Sequence, residues 1–191
     1  MKKIYSRFFL IAIIAAFIVN FAACQSYTAT INVYNWGDYI DPSVIKDFQK
    51  EYNIKVNYKT FATNEDMYTK IKNGGGKYDV LFPSEYMIDR MIKEDMLEKL
   101  DMDNIENYKY IDSKYKNLSY DPNNEYSVPY MWGTFGIIYN KKMVKKPVDS
   151  WSILWDKDYS KQIFMLDSQR ESIGVALKLL NYSLNSRDKN H

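Results

Sequence analysis

The sequence predicts an α/β fold that begins with a parallel sheet flanked by helices. Three strand-like stretches at 31–34, 55–61 and 78–82 alternate with helix-like stretches at 43–52 and 64–72. The strand-like stretches are rich in β-branched and aromatic residues, whereas the helix-like stretches repeat apolar residues every three or four positions. Strands that alternate with helices in this order pair in parallel through right-handed crossovers. In such sheets, ligands bind beyond the carboxyl ends of the strands.

Local signals predict where the helices begin and end. Asp41 followed by Pro42 is a helix start, because a capping acid and a proline at the first helical position both favour initiation. Asn53 is predicted to end this helix in the left-handed conformation, and Asn64 is predicted to cap the second helix. The glycines at 74–76 are interpreted as turn glycines, because no strand precedes them and no GK[ST] sequence follows, as a phosphate loop would require.

Shorter patterns predict the remaining elements. We expect a third helix at 85–94, a short helix around 151–155 and a helix at 170–180 with apolar residues on one face. Residues 126–140 and 163–166 have strand character. The sequence contains no internal repeat, low-complexity segment or long linker.

Residues 1–23 are predicted to be an export signal rather than part of the fold. Basic residues precede an apolar run at 8–21, and Ala22 and Ala23 stand directly before Cys24. This is the layout of a secretory signal peptide, and the run is shorter than the roughly 20 apolar residues of a membrane span. Cys24, the only cysteine, is placed as in a bacterial lipobox. This predicts lipidation of Cys24 and a location on the outer face of the cytoplasmic membrane or in the periplasm. Ordinary cleavage after Ala23, which would leave a free thiol, is the alternative.

The charge balance and the reactive residues argue against several classes of function. The chain has 26 Lys and Arg against 24 Asp and Glu, and without the three cations of the signal the balance is 23 against 24. A near-neutral chain without a basic run is not typical of a nucleic-acid-binding protein. The only histidine is His191 and the only cysteine is Cys24, so the sequence shows no Ser-His-Asp or Cys-His arrangement and no zinc spacing. We therefore predict no enzyme activity, no cofactor and no metal site.

Four stretches of the sequence carry a family resemblance: Tyr34–Ile40 (YNWGDYI), Tyr78–Ser84 (YDVLFPS), Tyr126–Thr134 (YSVPYMWGT) and Asp167–Glu171 (DSQRE). In order and spacing they resemble the spermidine/putrescine-binding proteins of bacterial ABC transporters, which have the two-lobed periplasmic-binding-protein fold of type II. The resemblance implies an exported solute-binding component of an ABC importer, with a polyamine held in an interlobe cleft and permease subunits as partners. A binding protein for another small solute, such as ferric iron or a sugar, is the alternative within the same fold.

The resemblance also implies how the chain is divided. It implies a signal at 1–23, a tether at 24–29, a first lobe at 30–135 and the start of a second lobe at 136–191. The second lobe is therefore expected to be incomplete and the chain truncated. An inactive remnant is a further alternative, because a binding cleft needs two walls.

The segment 35–39, after the first strand, is predicted to form part of the ligand site. A polyamine is a chain of methylenes carrying protonated amines, so its capture requires aromatic faces and carboxylates. The resemblance implies that Trp36 and Tyr39 form an aromatic wall and that Gly37 and Asp38 also contact the ligand. Trp36 could instead belong to the core, and Asp38 could be a solvated loop acid; both alternatives remain open.

Ser84 and Tyr86, after the third strand, and Glu171 complete the predicted site. Ser84 and Tyr86 resemble family residues that hydrogen-bond a terminal amine, and Ser84 is also expected to cap the next helix. Glu171 matches the family's acid for an amine, with a solvated first-turn glutamate as the alternative. Ser168 stands where many relatives have a second acid, and this difference favours the shorter ligand, putrescine.

Overall fold

The structure is a computed structural model in which residues 26–186 are described. The predicted signal at 1–23 and the predicted lipidation site, Cys24, lie outside the described residues. No helix within the described range is both long enough and apolar enough to cross a membrane.

The described part of the chain forms two compact units. The first comprises 26–99 and Ser119–Pro122, and the second comprises Leu100–Leu118 and 123–186. The lobe boundaries predicted from the sequence stay predictions.

The first unit is built on a parallel sheet of three strands, β1 (Ala29–Trp36), β2 (Ile54–Phe61) and β3 (Val80–Leu81). β1 lies in the centre, with β2 on one side and β3 on the other. The predicted α/β fold with a parallel sheet is therefore confirmed. The prediction that Trp36 lies beyond the first strand is wrong, because pairing continues to the end of β2 and places Trp36 opposite Phe61.

Four α-helices occur within residues 26–186: α1 (Pro42–Tyr52), α2 (Asn64–Lys72), α3 (Glu85–Lys93) and α4 (Gln169–Leu179). The first three belong to the first unit and follow β1, β2 and β3 in turn, as the sequence predicts. The fourth belongs to the second unit and confirms the helix predicted at 170–180.

The predicted limits of α1 are confirmed. Asp41 Oδ1 accepts a hydrogen bond from the N–H of Ser43 at 2.8 Å, and Pro42 is the first helical residue. The hydrogen bonds from Ser43 hold the pKa of Asp41 below its usual value. Asn53 ends the helix in the left-handed conformation, with a φ of 53°.

The predicted cap of α2 is wrong by one residue. Thr63, not Asn64, is the N-cap, and its hydroxyl accepts a hydrogen bond from the N–H of Asp66 at 3.1 Å. Thr63 has the extended backbone that a capping residue requires, whereas Asn64 is already helical. The side chain of Asn64 is therefore available for contacts outside its own helix.

The core of the first unit is formed by side chains of the sheet, α2 and α3. Its buried members are Tyr34, Phe61, Met67, Tyr68, Met87 and Met91. Met67 and Met91 are 0% exposed, and each such side chain stabilises the fold by about 1.5–3 kcal/mol through removal of apolar surface from water. This packing fixes α2 and α3 against the sheet.

A cluster of polar contacts joins the carboxyl-terminal ends of α2 and α3. Glu94, just after α3, accepts hydrogen bonds from Lys72 at 2.7 Å, Tyr68 at 2.6 Å and Arg90 at 3.0 Å. These contacts, the one from Lys72 foremost, lower the pKa of Glu94 to about 2. The carboxyl-terminal ends of both helices are thereby held together.

The second unit contains α4 and five short 3₁₀ helices, at Met102–Asn104, Glu106–Tyr110, Ser113–Tyr115, Trp151–Trp155 and Lys157–Tyr159. The strands predicted at 126–140 and 163–166 are wrong, since neither stretch pairs with another strand within the described residues. Aromatic and β-branched residues stabilise a strand mainly through packing on neighbouring strands. Without such neighbours, Ile138 and Phe164 are exposed to solvent.

Candidate ligand-binding site

An open cavity with an aromatic wall lies at the carboxyl edge of the sheet. It is lined by residues at and after the ends of β1 and β2: Trp36, Gly37, Asp38, Tyr39, Thr60, Phe61 and Ala62. Its volume is about 570 Å³. The ring centroid of Trp36 lies 4.7 Å from that of Phe61 and 5.8 Å from that of Tyr39. The cavity thus presents aromatic faces at the edge of the sheet where α/β proteins bind ligands.

Trp36 is positioned by the strand register and by a hydrogen bond to a side chain. Because Trp36 and Phe61 are register partners, their side chains point to the same face of the sheet. The N–H of Trp36 donates to Oδ1 of the fully buried Asn35 at 2.7 Å. The chain then leaves the sheet at Gly37, where an added Cβ would meet no atom within 4 Å. The backbone of Gly37 therefore borders open space.

Asp38 and Tyr39 form the solvent side of the cavity. Asp38 is exposed, and Tyr39 is 40% exposed. Trp36 is half-buried; it packs against the core and also lines the cavity. A role in the core and a role in the ligand site are therefore compatible for this residue. A carboxylate beside two aromatic rings is an arrangement that attracts ammonium groups.

One buried side chain joins Ser84 to Tyr86. Asn64, which is 3% exposed, donates from Nδ2 to Ser84 Oγ and to Tyr86 OH, each at 3.0 Å. Its Oδ1 accepts a hydrogen bond from the N–H of Ser84, also at 3.0 Å. Tyr86 OH donates to Glu65 Oε1 at 3.0 Å. The beginnings of α2 and α3 are thereby linked through the predicted ligand contacts.

Ser84 has the expected capping position but not the expected capping hydrogen bond. Ser84 is the N-cap residue of α3, but its side chain makes no capping hydrogen bond. Its hydroxyl is bound by Asn64 instead. The hydroxyl of Ser84 is therefore oriented by α2 rather than by the helix that it precedes.

The topology brings two of the predicted segments to one edge of the sheet. Since β1 lies between β2 and β3, the link from Asn64 to Ser84 joins the segments that flank the end of β1. Trp36 stands at that end. The segments at 36–39 and 84–86 therefore belong to the same edge, and their role in ligand binding stays a prediction.

Glu171 belongs to the second unit, in the first turn of α4. Its Oε2 is buried and has no hydrogen-bond partner among the described residues. Leaving a buried acceptor unpaired costs about 1–3 kcal/mol, and more for a charged group. Glu171 is therefore not a fully solvated first-turn acid. Ser168, the position of the expected second acid, is the N-cap residue of α4.

Sequence reasoning missed the residues at and after the end of β2. Phe61 forms part of the cavity wall, and Asn64 and Glu65 contact the hydroxyls of the predicted site. The sequence contains an indication of their role, because Asn64 and Glu65 follow a parallel strand just as the predicted segments do and Phe61 stands at the end of that strand. The sequence pattern suggests helix capping for Asn64, and that interpretation hid the contact with α3.

The fold is that of a solute-binding protein. Residues 43–190, most of the chain, match the family model described as "Bacterial extracellular solute-binding protein". The chain belongs to this family.

Individual relatives are similar to this chain over most of its length. The spermidine/putrescine-binding periplasmic protein of Salmonella typhimurium is 40% identical over 169 residues, which is 87% of this chain and 49% of the relative. The protein of the same name in Escherichia coli K12 is 41% identical over 161 residues, 83% of this chain and 46% of the relative. The family resemblance stated from the sequence is confirmed.

Solved structures give the same result for the fold. A putative spermidine/putrescine ABC transporter from Listeria monocytogenes matches with a TM-score of 0.80 and 49% identity over 85% of this chain and 51% of the other. The TpPotD lipoprotein of Treponema pallidum matches with a TM-score of 0.78 and 38% identity over 84% of this chain and 51% of the other. The predicted type II periplasmic-binding-protein fold is confirmed.

The chain spans about half the length of the curated relatives it matches. Ligand binding and transport by a whole protein of this family are therefore proposals for this chain.

Proposed function

We propose that this chain is part of the extracytoplasmic solute-binding component of an ABC importer and that its ligand is a polyamine, putrescine or spermidine. The observation that carries the proposal is the aromatic-walled cavity at the sheet edge, with the exposed carboxylate of Asp38 in its lining. The relatives are named as binding proteins for this class of ligand. Permease subunits of the importer are the proposed partners.

The cavity suits a diammonium chain on electrostatic grounds. Each contact between an ammonium group and an aromatic face contributes about 0.5–2 kcal/mol, depending on desolvation. Hydrogen bonds between ammonium and carboxylate groups are stronger than those between neutral groups, and Asp38 lies next to Tyr39 in the same lining. A sugar would pack on the rings of Trp36 and Tyr39 but would leave Asp38 without a counter-charge.

Ser84, Tyr86 and Glu171 are proposed to bind amine groups as well. The hydroxyl oxygens of Ser84 and Tyr86 are acceptors for an ammonium group. The carboxylate of Glu171 is a charged acceptor for an ammonium group. Ser168 offers a hydroxyl where a second acid is expected, so we propose a preference for putrescine, which carries two charges.

An NMR titration of the 191-residue chain tests the ligand class. We expect putrescine and spermidine to bind no more tightly than a Kd of ~1 mM, equivalent to about −4 kcal/mol. The affinity is low because ion pairs in an open, solvated site contribute only about 0–1 kcal/mol each. A ferric salt, a maltodextrin and 1,4-butanediol, an uncharged analogue of putrescine, are expected to cause no saturable shifts.

Two tryptophan variants provide a matched control for this titration. Trp36→Ala is expected to raise the Kd for putrescine about fivefold, through loss of an aromatic contact. Trp155→Ala removes a 54% exposed tryptophan of the second unit and is expected to leave the Kd unchanged. Tighter binding of iron or maltodextrin than of both polyamines would contradict the ligand class and leave the fold unaffected.

The amino-terminal sequence leads us to propose further that the protein is exported and held on the membrane by a lipid on Cys24. Cys24→Ala is expected to release the protein from bacterial membranes or to leave its signal uncleaved, because the thiol that carries the lipid is absent. Fractionation of cells with an immunoblot measures both, and Ser26→Ala, two residues further on, is the control. A cleaved Cys24→Ala protein that stays on membranes as fully as the wild type would rule out the anchor.

A further inference from the structure

The orientation of the Asn64 side chain is fixed by a backbone group. The N–H of Ser84 can only donate, and it donates to Asn64 Oδ1 at 3.0 Å. The NH₂ group of the amide must therefore be the part that faces Ser84 Oγ and Tyr86 OH, each 3.0 Å from Nδ2. Both hydroxyl oxygens thus act as acceptors towards Asn64, in a network whose central side chain is 3% exposed.

The phenol proton of Tyr86 is assigned by its second contact. A carboxylate can only accept, so the 3.0 Å bond between Tyr86 OH and Glu65 Oε1 places the proton of Tyr86 on the side of Glu65. Hydrogen bonds that are linked in series polarise one another. A phenol whose proton is drawn towards a carboxylate carries more negative charge on its oxygen.

We propose that Asn64 and Glu65 are positioning residues that hold the hydroxyls of Ser84 and Tyr86 as acceptors for an ammonium group. This inference rests on the proposed function of the site. Asn64 occupies one lone pair of Ser84 Oγ, and the second lone pair accepts from the ligand. Glu65 acts through Tyr86, by increasing the negative charge on the phenol oxygen. The pair thereby selects a cationic donor, and neither residue has to touch the ligand.

A double-mutant cycle separates this role from a direct or a merely structural one. Putrescine is titrated by NMR into the full 191-residue chain and into Glu65→Gln, Tyr86→Phe and the double variant. Glutamine has the shape of glutamate, so the contact between α2 and α3 is kept while the charge is lost. Asp66→Asn is the matched control, since Asp66 is the neighbouring acid in the first turn of α2 and is exposed.

We expect Tyr86→Phe to raise the Kd for putrescine about fivefold, in line with the loss of one hydrogen bond. Glu65→Gln is expected to raise the Kd by a smaller factor of about two to three, because the phenol oxygen remains but carries less negative charge. The double variant is expected to bind as Tyr86→Phe does, because Glu65 acts only through the phenol oxygen. Asp66→Asn is expected to bind as the wild type does. In the ligand-free chain, the ring-carbon signal of Tyr86 next to the hydroxyl is expected to move in Glu65→Gln and to stay in place in Asp66→Asn.

Each other outcome overturns the inference in a recognisable way. If the wild type binds putrescine and Glu65→Gln binds it equally well, Glu65 has no positioning role. The proposed function would still stand. If the increases in Kd of the two single variants multiply in the double variant, Glu65 acts on the ligand directly. A wild type that binds no putrescine would overturn the inference and the proposed function together.

Discussion

Joined to the carboxyl-terminal half of the Listeria relative, the chain is expected to bind putrescine at least about a thousandfold more tightly than the 191-residue chain alone. The chain corresponds to 51% of that relative, so the joined protein would have the length of a family member. Two-lobed binding proteins enclose their ligand by hinge closure, and each lobe supplies only part of the binding free energy. In the open cavity, Asp38 and Tyr39 are exposed to water, which weakens their contacts with an ammonium group.

Calorimetry measures this gain directly. We expect the Kd to fall from ~1 mM to ~1 μM or below, which corresponds to a change from about −4 to about −8 kcal/mol. In the joined protein, Glu171→Gln is expected to weaken binding by about 1 kcal/mol or more, through loss of a charge-assisted hydrogen bond. Glu106→Gln, which alters an exposed glutamate of the second unit, is the control. Equal affinities with and without the added half would show that enclosure does not contribute.

Phe61→Ala is expected to lower the free energy of unfolding by about 3–5 kcal/mol, the usual cost of removing a buried phenylalanine ring. Phe61 is 7% exposed and connects the core to the cavity wall. Its ring lies 5.0 Å from that of Tyr34, edge to face, and 4.7 Å from that of Trp36. A domain is typically stable by only about 5–15 kcal/mol, so this loss is a large part of the total.

Urea denaturation followed by circular dichroism measures the effect. Val44→Ala, at a 51% exposed position of α1, is the control and is expected to change the stability by no more than about 0.5 kcal/mol. Phe61→Leu should lose less than Phe61→Ala, because the smaller change in volume leaves a smaller cavity. A loss below about 1 kcal/mol for Phe61→Ala would mean that this ring does not hold the sheet edge together.

The order of strands and helices in the first unit could be predicted because each local signal agreed with the fold. Asp41, Pro42 and Asn53 determine the ends of α1 through interactions within a few residues, and these interactions are visible in the sequence. The parallel sheet follows from the alternation of strands and helices, since right-handed crossovers leave few arrangements. The edge that carries Trp36 and Ser84 could be predicted for the same reason.

Features that depend on contacts distant in sequence could not be predicted in this way. Thr63 and Asn64 are both good capping residues, and only the packing of α2 beside α3 leaves Asn64 free to bind Ser84 and Tyr86. The strand character of 126–140 did not produce a strand, because strands require partners and none pairs there within the described range. Local propensity identified the residue types correctly but not their partners.

The most direct test of polyamine binding at this sheet edge is an NMR titration of the isotope-labelled 191-residue chain with putrescine, followed residue by residue. We predict that the largest saturable shifts occur at the indole N–H of Trp36, at the amides of Asp38 and Tyr39, and at the amide of Ser84. The same concentrations of 1,4-butanediol are predicted to cause none of them, because that molecule lacks the ammonium groups. Shifts that avoid these four residues, or that butanediol reproduces in full, would contradict the assignment of this edge as a polyamine site.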